Sequence, residues 1–316
     1  MVSLPVRRPT DVAGSPQRRR PSRAEREESR AGWIAISPWI VGFLIFTLFP
    51  IGASVYFSFT SYDVLSSPDW VGTKNYQNLI TNDPIFWKSV RNTVIYAVIY
   101  VPLHLVLAFS IALLLHQVTR WQSGFRTLMY LPAMTPAVAT SYVWLSILNP
   151  NDGWLNRGLR ALHFPAPLWT VDPFWIKPTV VLTGIWVLGG AMVIFLAALQ
   201  SVPKDLYEAA KLDGANAWQR MWSVTVPMVS GVILFNLTVS TIASLGVFTQ
   251  GYVMFDSRGG PENSALFIMM YLYRQAFENF RMGYASAVAL VLFLIIVVIT
   301  VIQFKVSQRF VYYDNE

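Results

Sequence analysis

Charged and turn-forming residues that could act together are concentrated in one segment, which we call the polar loop (residues 201–226). Ser201 is a possible N-cap and Pro203 can occupy a first helical turn, so a short helix is predicted over 205–212. Gly214 would end this helix, because glycine readily adopts the left-handed backbone found at helix C-termini. Such a helix-turn segment offers binding rather than catalysis.

The predicted helix would leave a small apolar surface formed by Leu206, Ala209, Ala210 and Leu212. A short amphipathic helix of this kind can dock in a groove of a partner protein. It can also lie on the lipid surface, and Trp218 and Trp222 suit that interpretation. The residue chemistry alone leaves both alternatives open.

A second group of polar residues lies inside long apolar stretches. One set follows helical spacing at Thr183, Trp186, Val187 and Gly190, and a second set comprises Asn236, Ser240 and Ser244, with Thr241 beside it. Uncharged donors and acceptors beside an aromatic ring suit a hydroxyl-rich ligand. Alternatively, Ser, Thr and Gly permit close helix packing or bond to their own helix backbone.

Chemical catalysis has little support in the sequence. The chain has no cysteine and only three histidines, which excludes a disulfide framework or a thiolate site and disfavours a histidine metal site. The apolar stretches contain no Asp or Glu, so neither a paired-carboxylate enzyme nor a typical ion-coupled carrier is favoured.

The elements that position these residues follow from composition. The chain has 316 residues, of which 54% are hydrophobic and 13% are charged, and this balance argues against a water-soluble protein. Six stretches contain no Asp, Glu, Lys or Arg: 31–62, 92–119, 127–151, 178–203, 221–255 and 282–304. Each is long enough to cross a bilayer as a helix. The predicted membrane helices are 33–59, 91–116, 127–148, 177–200, 226–250 and 282–305.

Basic residues predict the orientation. With six crossings, fifteen of the 24 Lys and Arg residues fall on the side that holds both termini and nine fall on the other, so both termini are predicted to be cytoplasmic. The Arg-rich arm over 1–32 is predicted to be disordered and to lie near anionic lipid, with no role in nucleic-acid binding.

Several ordered motifs point to a family. The polar loop contains Glu208-Ala209-Ala210, Asp213-Gly214-Ala215 and Trp218, and Pro227 follows it directly. Elsewhere stand Pro38-Trp39, Phe49-Pro50, Leu131-Pro132, Gly153-Trp154-Leu155-Asn156, Gly259-Gly260-Pro261 and Gly283-Tyr284-Ala285-Ser286-Ala287. This series resembles the EAA-loop permeases of binding-protein-dependent ABC importers, specifically the maltose-type (type I) sugar permeases. The resemblance implies an all-α integral membrane protein with six transmembrane helices and the type I ABC importer transmembrane fold.

The resemblance also implies a division of the chain and a set of partners. The expected parts are a first transmembrane helix over 33–60, an external loop over 61–88, a transmembrane core over 89–310 and a tail over 311–316. A second homologous permease, two ATPases that bind ATP and magnesium, and an external solute-binding protein would complete the transporter. The chain itself has no G-x-x-x-x-G-K-[ST] motif and is expected to bind no cofactor.

Residue roles follow from the same resemblance. The polar loop would be a coupling helix in an ATPase cleft, with Glu208 as its charged anchor, and Gly259-Gly260-Pro261 would form a turn beside the mouth of the path. Thr183, Trp186, Val187, Gly190, Asn236, Ser240, Thr241 and Ser244 fall where such permeases place sugar-facing residues. A neutral sugar is favoured, with glycerol 3-phosphate, another polar solute, or an ion-coupled carrier as alternatives. The expected location is the plasma membrane of a bacterium or archaeon.

Overall fold

The computed structural model describes residues 23–118 and 120–308. The chain divides into two compact units, residues 1–53 and 54–316. In the first unit, α1 (Arg23–Phe43) leads through a π-helical turn (Leu44–Leu48) into α2 (Phe49–Ser58), which ends in the second unit.

The first helix begins earlier than the sequence predicts. Residues 23–32 were expected to belong to a disordered arm, yet α1 already starts at Arg23. Ala, Glu and Arg dominate this segment and are among the strongest helix formers, which accounts for the earlier start. The remainder of the predicted arm, residues 1–22, and the predicted tail, 311–316, lie outside the described residues.

The second unit opens with a small hairpin that the all-helical prediction did not include. The strands β1 (Thr60–Ser61) and β2 (Asp69–Trp70) pair antiparallel. A one-turn helix, α3 (Lys74–Gln77), and a π-helical turn (Asn78–Asn82) precede the long α4 (Pro84–Gln117).

The third predicted membrane helix is not continuous. Residues 127–148 fall on α5 (Gln122–Tyr130), a 3₁₀ turn (Leu131–Met134) and α6 (Ala137–Ile147). Pro132 and Pro136 have no backbone N–H to donate, and each restricts the residue before it. The prediction of a single helix over this range is therefore wrong.

The fourth predicted membrane helix is bent. After α7 (Trp154–Ala161), α8 (Pro173–Ile185) and α9 (Gly189–Ser201) meet at an angle of 49°. A Cβ atom on Gly189 would lie 2.4 Å from the carbonyl oxygen of Met129, so only glycine allows α9 to approach α5 this closely. Residues 186–188 between the two helices form a turn.

Helices also dominate the remaining described residues, 202–308. The elements of this segment are α10 (Lys204–Leu212), α11 (Ala217–Arg220), a π-helical turn (Met221–Thr225), α12 (Val226–Met228), α13 (Ser230–Leu245), α14 (Thr249–Phe255), a 3₁₀ turn (Pro261–Asn263), α15 (Ile268–Tyr273), a π-helical turn (Arg274–Glu278) and α16 (Met282–Ser307).

Among the described residues, four helical stretches are long and apolar enough to cross a membrane: Ser29–Ser58, Pro84–Gln117, Ser230–Phe255 and Met282–Ser307. The bent pair of α8 and α9 would make a fifth span, and α6 is a shorter apolar helix. The predicted helical membrane architecture is confirmed, with one broken and one bent element among the six predicted crossings.

The buried side chains of the second unit form two clusters along α4. One surrounds Phe86, Phe267 and Tyr271, where α4 meets α8 and α15, and where α15 packs against α16. The other surrounds Met192 and Phe195, where α9 packs against the second half of α4. α4 is therefore the element against which both candidate sites are built.

Candidate functional site

The polar loop begins with α10, which follows α9 almost directly. Ser201 is the last residue of α9, and its hydroxyl donates to the carbonyl of Ala198 at 2.8 Å. Pro203 occupies the N-cap position of α10 and contributes no side-chain hydrogen bond. The predicted roles of Ser201 as N-cap and Pro203 as a first-turn residue are therefore wrong, because α9 extends to Ser201.

A glycine turn joins α10 to α11. Gly214 has φ +81°, a left-handed conformation that disfavours side chains. The N–H of Gly214 donates to Lys211 at 3.0 Å, and that of Ala215 donates to Ala210 at 2.9 Å. These two bonds satisfy carbonyl groups at the end of α10 and fix the direction of the chain.

Side chains fix the start of α11. Asn216 accepts the N–H of Gln219 at 2.9 Å, and the side chain of Gln219 accepts the N–H of Asn216 at 2.8 Å. Arg220 donates to the carbonyl of Ala215 at 2.7 Å. Hydrogen bonds therefore hold the loop on both sides of its turn, and those between Asn216 and Gln219 form a capping box.

One hydrogen bond connects α10 to the segment that follows α11. The hydroxyl of Tyr207 lies 3.0 Å from the hydroxyl of Thr225, which is buried. This bond connects α10 to the turn that leads into α12 and α13.

The opposite face of α10 is uncovered in this chain. Glu208, Ala209 and Asp213 are exposed, and Leu212 is 90% exposed. Glu208 forms no ion pair with Lys211 in the part of the chain that the structure describes, although residues three apart on a helix can form one. Trp218 is also exposed, and its ring centroid lies 5.8 Å from that of Trp222. This face presents a carboxylate beside apolar side chains.

The residues predicted to line a path on the fourth span do not share one helical face. The turn over 186–188 separates Thr183 on α8 from Gly190 on α9. Thr183 is buried and donates to the carbonyl of Val180 at 2.9 Å. Trp186 is half-exposed and meets Trp144 edge to face, with ring centroids 5.8 Å apart. The prediction of a common face fails because it assumed an unbroken helix.

The polar residues of α13 mostly bond to their own helix. The predicted residues Asn236, Ser240, Thr241 and Ser244 are all buried. Asn236 donates to Val232 at 3.1 Å and Ser244 donates to Thr241 at 2.8 Å. Thr241 donates to the carbonyl of Leu237 at 2.7 Å and accepts from Gln303 of α16 at 2.8 Å. For Thr241 this arrangement favours the packing alternative.

A cavity of about 210 Å³ nevertheless brings the two predicted sets together. Val187 and Ser244 line it, and so do Tyr100 and Gln250, which the sequence did not single out. The rings of Tyr96 and Tyr100 stack with centroids 5.2 Å apart. The sequence feature that could have identified Tyr100 is its spacing from Tyr96, because the two tyrosines stand four residues apart within a predicted membrane helix. Trp186 lines a different cavity, of about 490 Å³ and apolar.

The predicted external turn is closely packed. Gly259 and Gly260 have φ of +73° and +69°, and Pro261 begins the following 3₁₀ turn. A Cβ atom on Gly259 would lie 2.2 Å from the amide nitrogen of Leu266. The amide of Asn92 donates to Asn263 at 2.8 Å and to Leu266 at 3.0 Å. This loop is thereby attached to α4.

A carboxylate network that the sequence did not reveal lies near this loop. Asp83 caps α4 by accepting the N–H of Phe86 at 2.9 Å, and it also accepts the hydroxyls of Tyr271 and Tyr284. Burial opposes ionisation of Asp83, but these hydrogen bonds outweigh burial and lower its pKa. Burial, together with the bond to Asp83, raises the pKa of Tyr271.

The chain is similar to known transport proteins over most of its length. A sequence profile described as "Binding-protein-dependent transport system inner membrane component" matches residues 104–312. The chain is 39% identical over 297 residues to the probable ABC transporter permease protein YesP of Bacillus subtilis (strain 168), covering 93% of this chain and 96% of that protein. It is 36% identical over 284 residues to the lactose transport system permease protein LacF of Rhizobium radiobacter, covering 88% and 94%.

A solved structure shares the fold. It is a bacterial alginate ABC transporter in complex with an alginate pentasaccharide-bound periplasmic protein. The TM-score is 0.79 at 22% identity, and the match covers 90% of this chain and 96% of the other.

Proposed function

Because the chain belongs to the family of binding-protein-dependent transport system inner membrane components, we propose that it is the permease subunit of an ATP-driven importer for a mono- or oligosaccharide. It would form half of the translocation path in the plasma membrane. ATP hydrolysis and magnesium binding would take place on partner ATPases, so the chain itself would be non-catalytic.

The main structural support for this proposal is the uncovered face of α10. The turn at Gly214 and the Tyr207–Thr225 bond hold α10 firmly, while Glu208 and Leu212 are left exposed. A short rigid helix transmits displacement better than a flexible loop does. Seated in a cleft of the ATPase, this face would couple nucleotide-driven closure to movement of α13. Glu208 would then engage a basic residue of the ATPase.

A neutral carbohydrate fits the proposed path better than an anion does. The cavity at Val187 and Ser244 offers hydroxyl groups and the ring of Tyr100, which suit a sugar. The six charge-free stretches contain no Lys or Arg to bind glycerol 3-phosphate, which remains the alternative substrate. Relatives named for lactose and arabinooligosaccharide transport support a saccharide.

The remaining partners follow from the same proposal. A second homologous permease would complete the path, and a solute-binding protein would dock on the external loops 61–88, 149–176 and 251–281. The turn at Gly259, Gly260 and Pro261 would sit beside the mouth of the path. Both chain termini would be cytoplasmic.

Reconstitution tests this function. The assembled complex, placed in proteoliposomes with its binding protein, should take up radiolabelled sugar only when ATP is supplied on the ATPase side. The permease alone, under a proton or sodium gradient, should take up none. Uptake by the permease alone would establish an ion-coupled carrier and overturn the proposal.

The coupling role of Glu208 has its own test. Glu208→Lys should abolish sugar-stimulated ATP hydrolysis by the assembled complex, because the new ammonium would repel the proposed basic partner. Glu208→Asp, which keeps the negative charge at the same position, should retain most of the stimulation. Equal stimulation in both variants would remove the proposed role of Glu208.

A further inference from the structure

A basic cavity lies between the polar loop and the end of α4. It has a volume of about 470 Å³. Basic side chains from three separate segments line it: His116 of α4, Lys211 of α10 and Arg220 of α11. Among the described residues, no Asp or Glu contributes to its lining.

The sequence of α10 separates charges between two faces. Tyr207 and Lys211, one helical turn apart, face the cavity. Asp205 and Glu208 are exposed and do not line it. Within α10, the acidic face proposed to bind the ATPase is therefore distinct from the basic face that lines the cavity.

The electrostatics favour an anion. Lys211 and Arg220 bring two positive charges, whereas the C-terminal end of α4 contributes only about half a negative charge. Arg220 uses an Nη1 donor for the carbonyl of Ala215, which leaves other donors of its guanidinium for a ligand. Such a planar fork matches the oxygens of a phosphate group.

The position of the cavity indicates the source of that phosphate. Leu113, inside the apolar run of α4, lines one part, and His116 and Gln117 at the end of the same helix line another. The cavity thus passes from apolar to charged surroundings where the span ends. The exposed indole of Trp218 also lines it, and tryptophan is enriched at the membrane interface.

We propose that this cavity binds the headgroup phosphate of an anionic phospholipid from the cytoplasmic leaflet. Basic pockets beside membrane helices on the cytoplasmic side are suited to such headgroups. The bound lipid would brace Lys211 and Arg220 across the turn at Gly214, and so stiffen the polar loop from the side opposite the ATPase. This inference rests on the proposed function only for placing the loop on the cytoplasmic side.

Amine labelling tests the proposal directly. The full chain is placed in nanodiscs of phosphatidylcholine alone or of phosphatidylcholine with phosphatidylglycerol, and amine acetylation is followed by peptide mass spectrometry. Lys204 is an internal control, because it lies on the same helix but does not line the cavity. Phosphatidylglycerol should lower the Lys211/Lys204 labelling ratio about fivefold, and Arg220→Gln should abolish most of that protection.

Further labelling experiments identify what protects Lys211 from acetylation. An unchanged Lys211/Lys204 ratio in wild-type discs would overturn the proposal without relying on a variant. Equal protection by inorganic phosphate in pure phosphatidylcholine would overturn a lipid as the ligand. Protection that requires added ATPase but no phosphatidylglycerol would assign the cavity to a protein carboxylate and also overturn it. None of these experiments measures transport, so the lipid-binding proposal can be overturned while the proposed permease function stands.

Discussion

The hydroxyl of Tyr207 lies 3.0 Å from the hydroxyl of Thr225, which joins α10 to the turn that enters α12 and α13. The two residues are 18 positions apart and lie on either side of the Gly214 turn. Because Thr225 is buried, this bond connects α10 to the interior.

Tyr207→Phe should weaken the transmission of movement through this bond. Loss of one such hydrogen bond costs about 1 kcal/mol, so sugar-stimulated ATP hydrolysis should fall about fivefold while basal hydrolysis is retained. Tyr142→Phe, at an exposed position on α6, is the matched control. A stimulated-to-basal ratio equal to wild type would show that the bond carries no coupling.

Gly259→Ala should destabilise the turn at Gly259, Gly260 and Pro261. Its left-handed backbone and the 2.2 Å approach to Leu266 leave no room for a Cβ atom, at a cost of about 3 kcal/mol or more. The thermal midpoint in detergent, followed by size-exclusion chromatography, should drop by at least about 5 °C. Gly231→Ala, where the space is open, should keep the wild-type midpoint. A similar midpoint in both variants would contradict the claim that the turn cannot accommodate a side chain at Gly259.

Val187→Phe should obstruct the proposed sugar path. The larger ring would fill part of the cavity that Val187 shares with Ser244 and Tyr100, and overpacking should lower the uptake rate roughly tenfold. Radiolabelled sugar uptake in proteoliposomes measures this effect. Val98→Phe, on an exposed face of α4, should transport normally. Normal uptake by Val187→Phe would exclude this cavity from the path.

The Asp83 network should make stability depend on acid pH. Its folded-state pKa is lowered, so the network stabilises the protein above the unfolded-state pKa of about 4. That stabilisation should be lost as the pH falls further through the folded-state pKa. Thermal midpoints measured from about pH 5 to pH 3 should fall more steeply for wild type than for Asp83→Asn.

The control for this pH effect is Asp172→Asn. Asp172 also caps a helix, accepting the N–H of Phe174 at 2.9 Å. This variant should retain the steep wild-type dependence. If Asp83→Asn also retained it, the network would not be the source of the acid sensitivity.

Sequence patterns predicted the elements that depend on local composition. The charge-free runs identified α4, α13 and α16, because a helix in lipid must satisfy its own backbone and exclude charge. The same runs could not show the bend at 186–188. That bend accompanies the close approach of Gly189 to Met129, a contact between residues far apart in the chain.

The candidate sites likewise contain some features that local sequence predicts and others that depend on contacts between distant residues. The glycine turn of the polar loop follows from local residue types, and Gly214 adopts a left-handed conformation there. The bonds of Asp83 to Tyr271 and Tyr284 connect residues 188 and 201 positions apart, which no local pattern indicates. Tyr100 and Gln250 likewise meet only in the folded cavity.

Crosslinking from α10 tests the central claim most directly. The chain has no cysteine, so Leu212→Cys introduces a single thiol that can carry a photoreactive maleimide. Leu65→Cys is matched to it, since Leu65 is 91% and Leu212 is 90% exposed. In the assembled complex, illumination should crosslink position 212 to the ATPase subunit. Position 65 should give no crosslink to that subunit. No crosslink from position 212, or equal crosslinking from both positions, would contradict the account.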